Sequence, residues 1–571
     1  RAPRSQYERR LAAIWKELLN IDRVGIDDNF FDIGGNSLIA QKVVVSLKKL
    51  HGIDLSITKL YQYGTVAGLS SYLEGRATPF SFQGRPTGVA PSDEPIAVVG
   101  FAGRFPGAKN IDEFWENLKA GRETIQFFGQ EDLDPSIPLA QRNDPNYVPA
   151  RGILDQPEWF DENLFGLTPV MARVMDPQQR IFMEICRDAL ETTGFLPAVY
   201  DGVIGVYAGA GSNTYYLNNV LTNPEEVEKI GSFQAMTLNE KEYLATRIAY
   251  HLNLKGPAVG VFSACSTSLL AVVHAAEGLR NRRCDVALAG GISIKSPVNS
   301  GHIYEEGAML SYDGHSRPFD DKAKGTVFSD GAGVVVLRRL SDAKRDGNRI
   351  YAVIKGMGVN NDGSEKASFS APSPLGQAKA INMALSDAGF APETISYIEA
   401  HGTATPVGDP IEVEALNMVF GSQGVRQYCR IGSLKSNMGH LTHAAGVAGL
   451  IKTVLSLHFR EIPPSINFER PNPAIDFEKS PFIVNNTLIP WETHGPRRAG
   501  VSSFGVGGTN VHLALEEYVE PPNPAQRHEP GPSLISWSAA TEASARMYAD
   551  RLVGYLADRP NVNLHALAAT L

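Results

Sequence analysis

Two hydrophobic patterns divide the chain. Near its start Leu11, Ile14, Trp15 and Leu18 recur at i, i+3, i+4 and i+7 and predict a helix over Tyr7–Leu19. Ile39, Val43, Leu47 and Leu50 predict a second over Ser37–Leu50, with Lys48 and Lys49 in its last turn and Gly52 as its stop. Between about Gly75 and Glu94 the pattern dissolves into Pro- and Gly-rich sequence that reads as a linker. From Pro95 onward, apolar runs of strand type alternate with helical stretches such as Pro177–Thr193 and Pro374–Gly389. The strand-type runs are Ile96-Ala-Val-Val-Gly, Val203-Ile-Gly-Val-Tyr-Ala-Gly, Val286-Ala-Leu-Ala-Gly-Gly and Val334-Val-Val-Leu. Continuous apolar strands among helices predict an α/β domain whose sheets are covered on both faces. Pro521-Pro-Asn-Pro closes that region, and a helix over Ala540–Leu556 follows in a piece marginal for an independent fold.

Composition narrows the partners. The 571 residues are 43% hydrophobic and 20% charged, enough for large buried cores and unlike a disordered chain. Lys and Arg number 53 against 62 Asp and Glu, a net charge of −9 that offers no basic stripe for a nucleic acid. No apolar run reaches about 18 residues, so no membrane span is expected, and no basic-then-apolar leader is visible. Cys186, Cys265, Cys284 and Cys429 are scattered, which points to a reducing, cytoplasmic setting rather than a disulfide framework.

Two places carry candidate chemistry. In Asp28-Asn-Phe-Phe-Asp-Ile-Gly-Gly-Asn-Ser-Leu, Ser37 follows a Gly-Gly turn at the first turn of the second helix, where most serines are N-caps. The whole string, with the stretch from Tyr7 to Leu73, resembles a thiolation domain, the carrier protein of peptide and polyketide assembly lines. Gly-Gly-Asn-Ser-Leu is nearer the peptidyl carriers. The resemblance implies that Ser37 bears 4′-phosphopantetheine, added by a phosphopantetheinyl transferase; a hydroxyl at a positive helix end suits a phosphodiester.

The second place lies in Gly260-Val-Phe-Ser-Ala-Cys-Ser-Thr-Ser-Leu-Leu, where an apolar strand turns into a helix with Leu269, Val272, Val273, Ala276 and Leu279 on its buried face. Cys265 sits at that turn, where the helix terminus is expected to lower its thiol pKa. Cys186, Cys284 and Cys429 read as core residues. His401 falls in Glu399-Ala-His-Gly-Thr-Ala-Thr-Pro-Val-Gly-Asp-Pro, and Lys435 and His440 in Gly432-Ser-Leu-Lys-Ser-Asn-Met-Gly-His-Leu-Thr-His. His443 and His458 alone carry no signal, and no third ligand joins His440 and His443 to make a metal site.

These strings resemble β-ketoacyl synthases, the condensing enzymes of polyketide synthases. So do Arg104-Phe-Pro-Gly, Asp176-Pro-Gln-Gln-Arg, Arg317-Pro-Phe-Asp, Asn360-Asn-Asp-Gly and Ser502-Ser-Phe-Gly-Val-Gly-Gly-Thr-Asn. The resemblance implies a thiolase fold, a pseudo-duplicated α/β/α/β/α architecture that forms homodimers. It implies Cys265 as acyl acceptor, His401 and His440 as Nε2–H donors to an enolate, and Lys435 in support without being a base. Backbone N–H groups of Cys265 and of the Gly505-Val-Gly-Gly turn are the expected oxyanion donors. Two positions depart from the usual pattern: Asp330 stands where relatives mostly have Glu, and Cys-Ser-Thr-Ser replaces Cys-Ser-Ser-Ser. The latter form resembles synthases that follow a peptidyl carrier.

Gly100-Phe-Ala-Gly-Arg-Phe-Pro-Gly has the wrong spacing for a dinucleotide fingerprint, and there is no Gly-x-Ser-x-Gly elbow of an acyltransferase or thioesterase. The expected organisation is a multidomain chain: a small all-α four-helix carrier over 1–75, a linker over 76–93, a thiolase-fold ketosynthase over 94–519 and the start of a following linker over 520–571. The expected function is decarboxylative Claisen elongation of a carrier-bound aminoacyl or peptidyl thioester. Upstream peptide synthetase or polyketide modules would supply it; a downstream malonyl-loaded carrier and an acyltransferase, in cis or in trans, would supply the extender. The alternatives are a non-elongating synthase that relays the acyl chain and a scaffold that recruits partners.

Overall fold

The computed structural model describes residues 1–30, 32–35, 37–55, 59–60, 63–76, 93–364, 366, 368–421, 424–520, 533–539 and 541–571, without the side chains of 37 and 38. The expected linker over 76–93 lies almost wholly outside the described residues, as does the Pro521 break. The chain divides into two units, Arg1–Glu517 and Tyr518–Leu571.

The N-terminal region is helical. Helix α1 (Gln6–Leu19) begins at a capping box in which Ser5 and Glu8 satisfy each other's backbone N–H, and it buries Leu11, Ile14 and Trp15. Helices α2 (Ser37–His51) and α3 (Val66–Leu73) close a small core in which Trp15 meets Phe30 at 5.0 Å between ring centroids. Residues 59 and 60 are also helical; their neighbours 56–58 and 61–62 lie outside the described residues.

The α/β region is built on one mixed sheet of eleven strands. In chain order they are β1 (Ile96–Arg104), β2 (Ile204–Ala210), β3 (Ala258–Gly260), β4 (Val286–Ser293), β5 (Gly331–Arg339), β6 (Ala352–Asn361), β7 (Tyr397–Glu399), β8 (Cys429–Gly432), β9 (Phe482–Val484), β10 (Arg498–Phe504) and β11 (Thr509–Glu517). Their order across the sheet is β9-β8-β7-β10-β11-β6-β1-β5-β4-β2-β3. Taken from the centre outward, each half repeats one topology. The first, fifth, fourth, second and third strands of β1–β5 lie side by side, and β6, β11, β10, β7 and β8 follow the same order with β9 added at the edge. In each half the first four strands share one direction and only the fifth, β5 or β11, runs against them. The duplication expected from resemblance is therefore present in the strand pairing.

Helices fill the remaining layers. Helix α4 (Pro177–Thr193) packs on β1 and β5, and α5 (Leu244–His251) packs on α4 and β2. Helix α6 (Thr267–Arg280) covers β4 and β2 and packs against α9 (Ala445–Phe459), which in turn covers β10. Helices α7 (Pro374–Ala388) and α8 (Gly408–Phe420) close the outer face of the second half, with α7 on β6 and β11. The layers thus run α/β/α/β/α. The central position of α9 explains its composition: every residue from Ala445 to Leu457 is buried, and an amphipathic helix would not survive there.

The second unit contains α10 (Glu542–Ala557), capped by Thr541, and α11 (Leu564–Thr570). No helix among the described residues is long and apolar enough to cross a membrane.

Candidate active site

The Cys265 turn is shaped by close backbone packing. Strand β3 leads through Ser263 into a short 3-10 turn, Ala264–Ser266, and then α6. Ala264 holds φ +54°, a left-handed conformation that costs a non-glycine residue free energy and persists where the surroundings enforce it. The enforcement is visible: Ser503 Oγ donates to the Cys265 carbonyl at 2.9 Å, and Ser266 Oγ to the Ser263 carbonyl at 2.9 Å. The 505–508 loop lies so close that a Cβ on Gly505 would meet the Ser263 carbonyl oxygen at 2.2 Å. That approach brings the Val506 N–H, with the N–H of Cys265 itself, into hydrogen-bonding reach of the thiol.

His401 leaves the end of β7 and His440 follows the short Lys435–Met438 helix, so residues far apart in sequence converge. One donor atom each from Cys265, His401 and His440 lies within 4.8 Å of the others, and all three residues are buried. The imidazoles meet edge to face at 5.5 Å. His440 Nδ1 accepts the Thr442 N–H at 3.0 Å, which places the ring proton on Nε2, a buried atom with no hydrogen-bond partner among the described residues. Burial, with Lys435 nearby, drives both imidazoles well below the usual histidine range, so they are neutral at physiological pH.

The thiol behaves differently from expectation. Burial raises the Cys265 pKa, and the Lys435 charge and the two backbone N–H groups only partly oppose it. The helix terminus does not dominate because the sulfur is almost fully enclosed. Burial also raises Cys186, Cys284 and Cys429, so what distinguishes Cys265 is its company of N–H groups and imidazoles.

Lys435 is buried, and its ammonium hydrogen-bonds the backbone carbonyl of His401. Around it stands an acidic cluster that sequence reading missed. Glu412 accepts the N–H groups of His401 and Gly402, both at 2.7 Å. Asp409 accepts those of Ala404 at 3.0 Å and Phe319 at 2.8 Å, and burial pushes both carboxyls up to about 7. Glu399 pairs with the fully buried Lys452 at 2.8 Å and accepts the Leu434 N–H at 2.7 Å. Their only sequence signal was position: Glu399 and Asp409 lie in the His401 string itself. Asp330 is fully buried and forms an ion pair with Arg151 while accepting the Lys295 N–H at 3.1 Å, so the shorter acid is accommodated. His443 is half-buried and held down to about 4, mainly by burial.

A cleft of about 730 Å³ opens beside this centre, lined by His401, Thr403, Thr405, Phe504, Gly505 and Val506 among others. In the carrier region Ser37 opens the fifteen-residue α2. Ahead of it Gly34 holds φ +105° and a Cβ on Gly35 would strike the Phe30 ring at 2.4 Å, so the turn into the helix is built for glycine. A serine backbone at the positive end of a long helix fits a phosphodiester-linked arm.

Comparison with known proteins agrees with this geometry. Residues 93–343 match the profile of the β-ketoacyl synthase N-terminal domain, 351–469 the C-terminal domain, 471–571 the ketoacyl-synthetase C-terminal extension and 9–73 the phosphopantetheine attachment site. The crystal structure of ketosynthase twelve from the bacillaene polyketide synthase of Bacillus amyloliquefaciens has a TM-score of 0.76 and 38% identity, covering 84% of this chain and 83% of that one. Among curated relatives, a phenolphthiocerol/phthiocerol polyketide synthase protein of Mycobacterium tuberculosis is 45% identical over 83% of this chain, and the PKS-NRPS hybrid synthetase acdB of Aspergillus candidus is 36% identical over 97%. The chain spans 33% of the former and 23% of the latter. The chain belongs to the β-ketoacyl synthases of modular polyketide synthases, acyltransferases of thiolase fold, and carries a phosphopantetheine carrier domain ahead of the synthase.

Proposed function

We propose that the chain elongates a carrier-bound acyl group by decarboxylative Claisen condensation at Cys265, His401 and His440. The observation that carries this reading is the convergence of one thiol, two neutral imidazoles and two backbone N–H groups beside a single cleft. Ser37 would hold the phosphopantetheine arm, which supplies a flexible terminal thiol for the acyl group. Cys265 Sγ would attack the incoming acyl carbonyl while the N–H groups of Cys265 and Val506 receive the developing oxyanion, and the thiol proton would go to the departing thiol of the acyl thioester. A malonyl-type thioester on a partner carrier then loses carbon dioxide. Its enolate oxygen accepts from the unpartnered Nε2–H of His440 and from His401, roles that need neutral donors. The carbanion attacks the Cys265 thioester, a C–C bond forms, and Cys265 is released. Lys435 acts as a positioning residue, holding the His401 backbone and lowering the thiol's pKa.

Aminoacyl or peptidyl chains are the proposed substrates. The Gly-Gly-Asn-Ser-Leu and Cys-Ser-Thr-Ser forms and the likeness to a peptide–polyketide hybrid synthetase support this. The corresponding partners are upstream peptide synthetase or polyketide modules, a downstream malonyl-loaded carrier with its acyltransferase, a phosphopantetheinyl transferase and a second copy of the synthase, in the cytoplasm.

The test is intact-protein mass spectrometry on the arm-loaded, aminoacylated chain mixed with a malonyl-loaded carrier. Extension by a two-carbon unit, abolished in Cys265→Ala, is the expected result. Acyl transfer to Cys265 without extension would favour a relay, and absence of any Cys265 thioester would overturn the enzymatic reading.

A further inference from the structure

The carrier loop that leads to Ser37 touches the synthase. Both carboxylate oxygens of Asp32 lie 3.1 Å from the hydroxyl of Tyr250 on α5. One turn earlier on the same helix stands Arg247. Its Nη2 donates to the Thr237 carbonyl at 2.9 Å, and its Nε is buried with no hydrogen-bond partner among the described residues. The Asp32 carboxylate supports the Arg247 charge against burial, and Arg247 supports the Asp32 charge in return. The arrangement is small and polar. Tyr250 remains 57% exposed even with the carboxylate in place. A contact of that kind orients partners and speeds their encounter more than it holds them, which suits a carrier that must leave again. The covalent tether supplies the concentration that so small a contact lacks.

We infer that Arg247 and Tyr250 form the docking point at which the synthase recognises Asp32 in the arm-bearing loop of the carrier on its own chain. This rests on the reading of Ser37 as the arm's attachment point. It assigns the fused carrier as the acyl donor to the synthase of the same chain.

The experiment uses the full 571-residue chain with its arm loaded and acylated, and follows Cys265 acylation by rapid quench and mass spectrometry. Arg247→Glu and Asp32→Lys are each expected to slow transfer about tenfold, and Tyr250→Phe about threefold. The double variant Asp32→Lys with Arg247→Glu is expected to recover to within about threefold of the parent. Acylation of Cys265 by a small acyl-pantetheine thioester reports on folding and on the acceptor, and should stay at the parental rate in the Arg247 and Tyr250 variants. Parental transfer rates from the carrier in both Arg247→Glu and Tyr250→Phe, or no recovery in the double variant, would overturn the dock. A mixture of Ser37→Ala and Cys265→Ala chains should show only slow, concentration-dependent transfer; transfer at the parental rate would overturn the same-chain assignment. Failure of the small thioester to acylate the parent chain would count against Cys265 as acceptor, a result distinct from either.

Discussion

Gly505→Ala tests how the Cys265 centre is held together. Gly505 lacks a positive φ, so alanine meets no backbone strain there and the whole effect comes from its Cβ. That Cβ would stand 2.2 Å from the Ser263 carbonyl oxygen and 2.8 Å from Ser266 Oγ. Ordinary contact requires more than about 3.2 Å, so the 505–508 loop must withdraw by about 1 Å, because the opposing oxygen belongs to the strained turn and cannot move freely. A hydrogen bond lengthened by that amount is lost, and the Val506 N–H no longer serves the sulfur or an oxyanion. Removing one such donor costs a factor of about 10² to 10³ in rate. Acylation of Cys265 by a small acyl-pantetheine thioester should therefore fall about a hundredfold. Alkylation by iodoacetamide, which develops no oxyanion, should fall only as far as the thiol pKa rises further. Circular dichroism and thermal unfolding should remain near parental values. Acylation within threefold of the parent would refute both the packing argument and the role given to Val506.

Three further outcomes follow from the same structure. Burial holds the Cys265 thiol above its ordinary value, so the rate of alkylation should still be climbing through pH 9, and Lys435→Met, which removes the cation opposing that shift, should move the profile further alkaline; a plateau near pH 7 would contradict this. His440→Phe should leave acyl transfer to Cys265 largely intact while cutting condensation about 10²- to 10³-fold, read by mass spectrometry with a malonyl-loaded carrier; equal losses in both steps would refute the assignment of His440 to the enolate. Asp330→Ala leaves the buried Arg151 guanidinium without its carboxylate and should destabilise the synthase by about 3–5 kcal/mol in urea unfolding, with an unchanged midpoint as the refuting result.

Features set by neighbours along the chain were legible before the structure. The helical stretch expected over Pro177–Thr193 has those bounds in the structure, where proline stands at its first position and Asp176 and Gly194 cap it. The apolar runs at Ile96, Val286 and Val334 all lie on strands of the buried sheet. The strings around Ser37, Cys265, His401 and His440 pointed to a carrier and a condensing enzyme as sequence alone. Their roles rested on resemblance, since no spacing says that three residues from separate loops share a site.

Tertiary structure decided what depends on contacts across long sequence separations. The repeated 1-5-4-2-3 strand order is a property of hydrogen-bonded pairing, and the two halves need share no sequence pattern to have it. Whether the Cys265 thiol rises or falls is a balance between a local helix terminus and enclosure by the whole fold, and enclosure is larger. Glu399, Asp409, Glu412 and Lys452 form a polar cluster around Lys435 only because β7, α8 and α9 converge there, and Asp32 meets Tyr250 only when two domains touch. Periodicity, caps and motif strings are short-range and survive in one dimension; burial, charge pairing and strand order are set by three-dimensional neighbours.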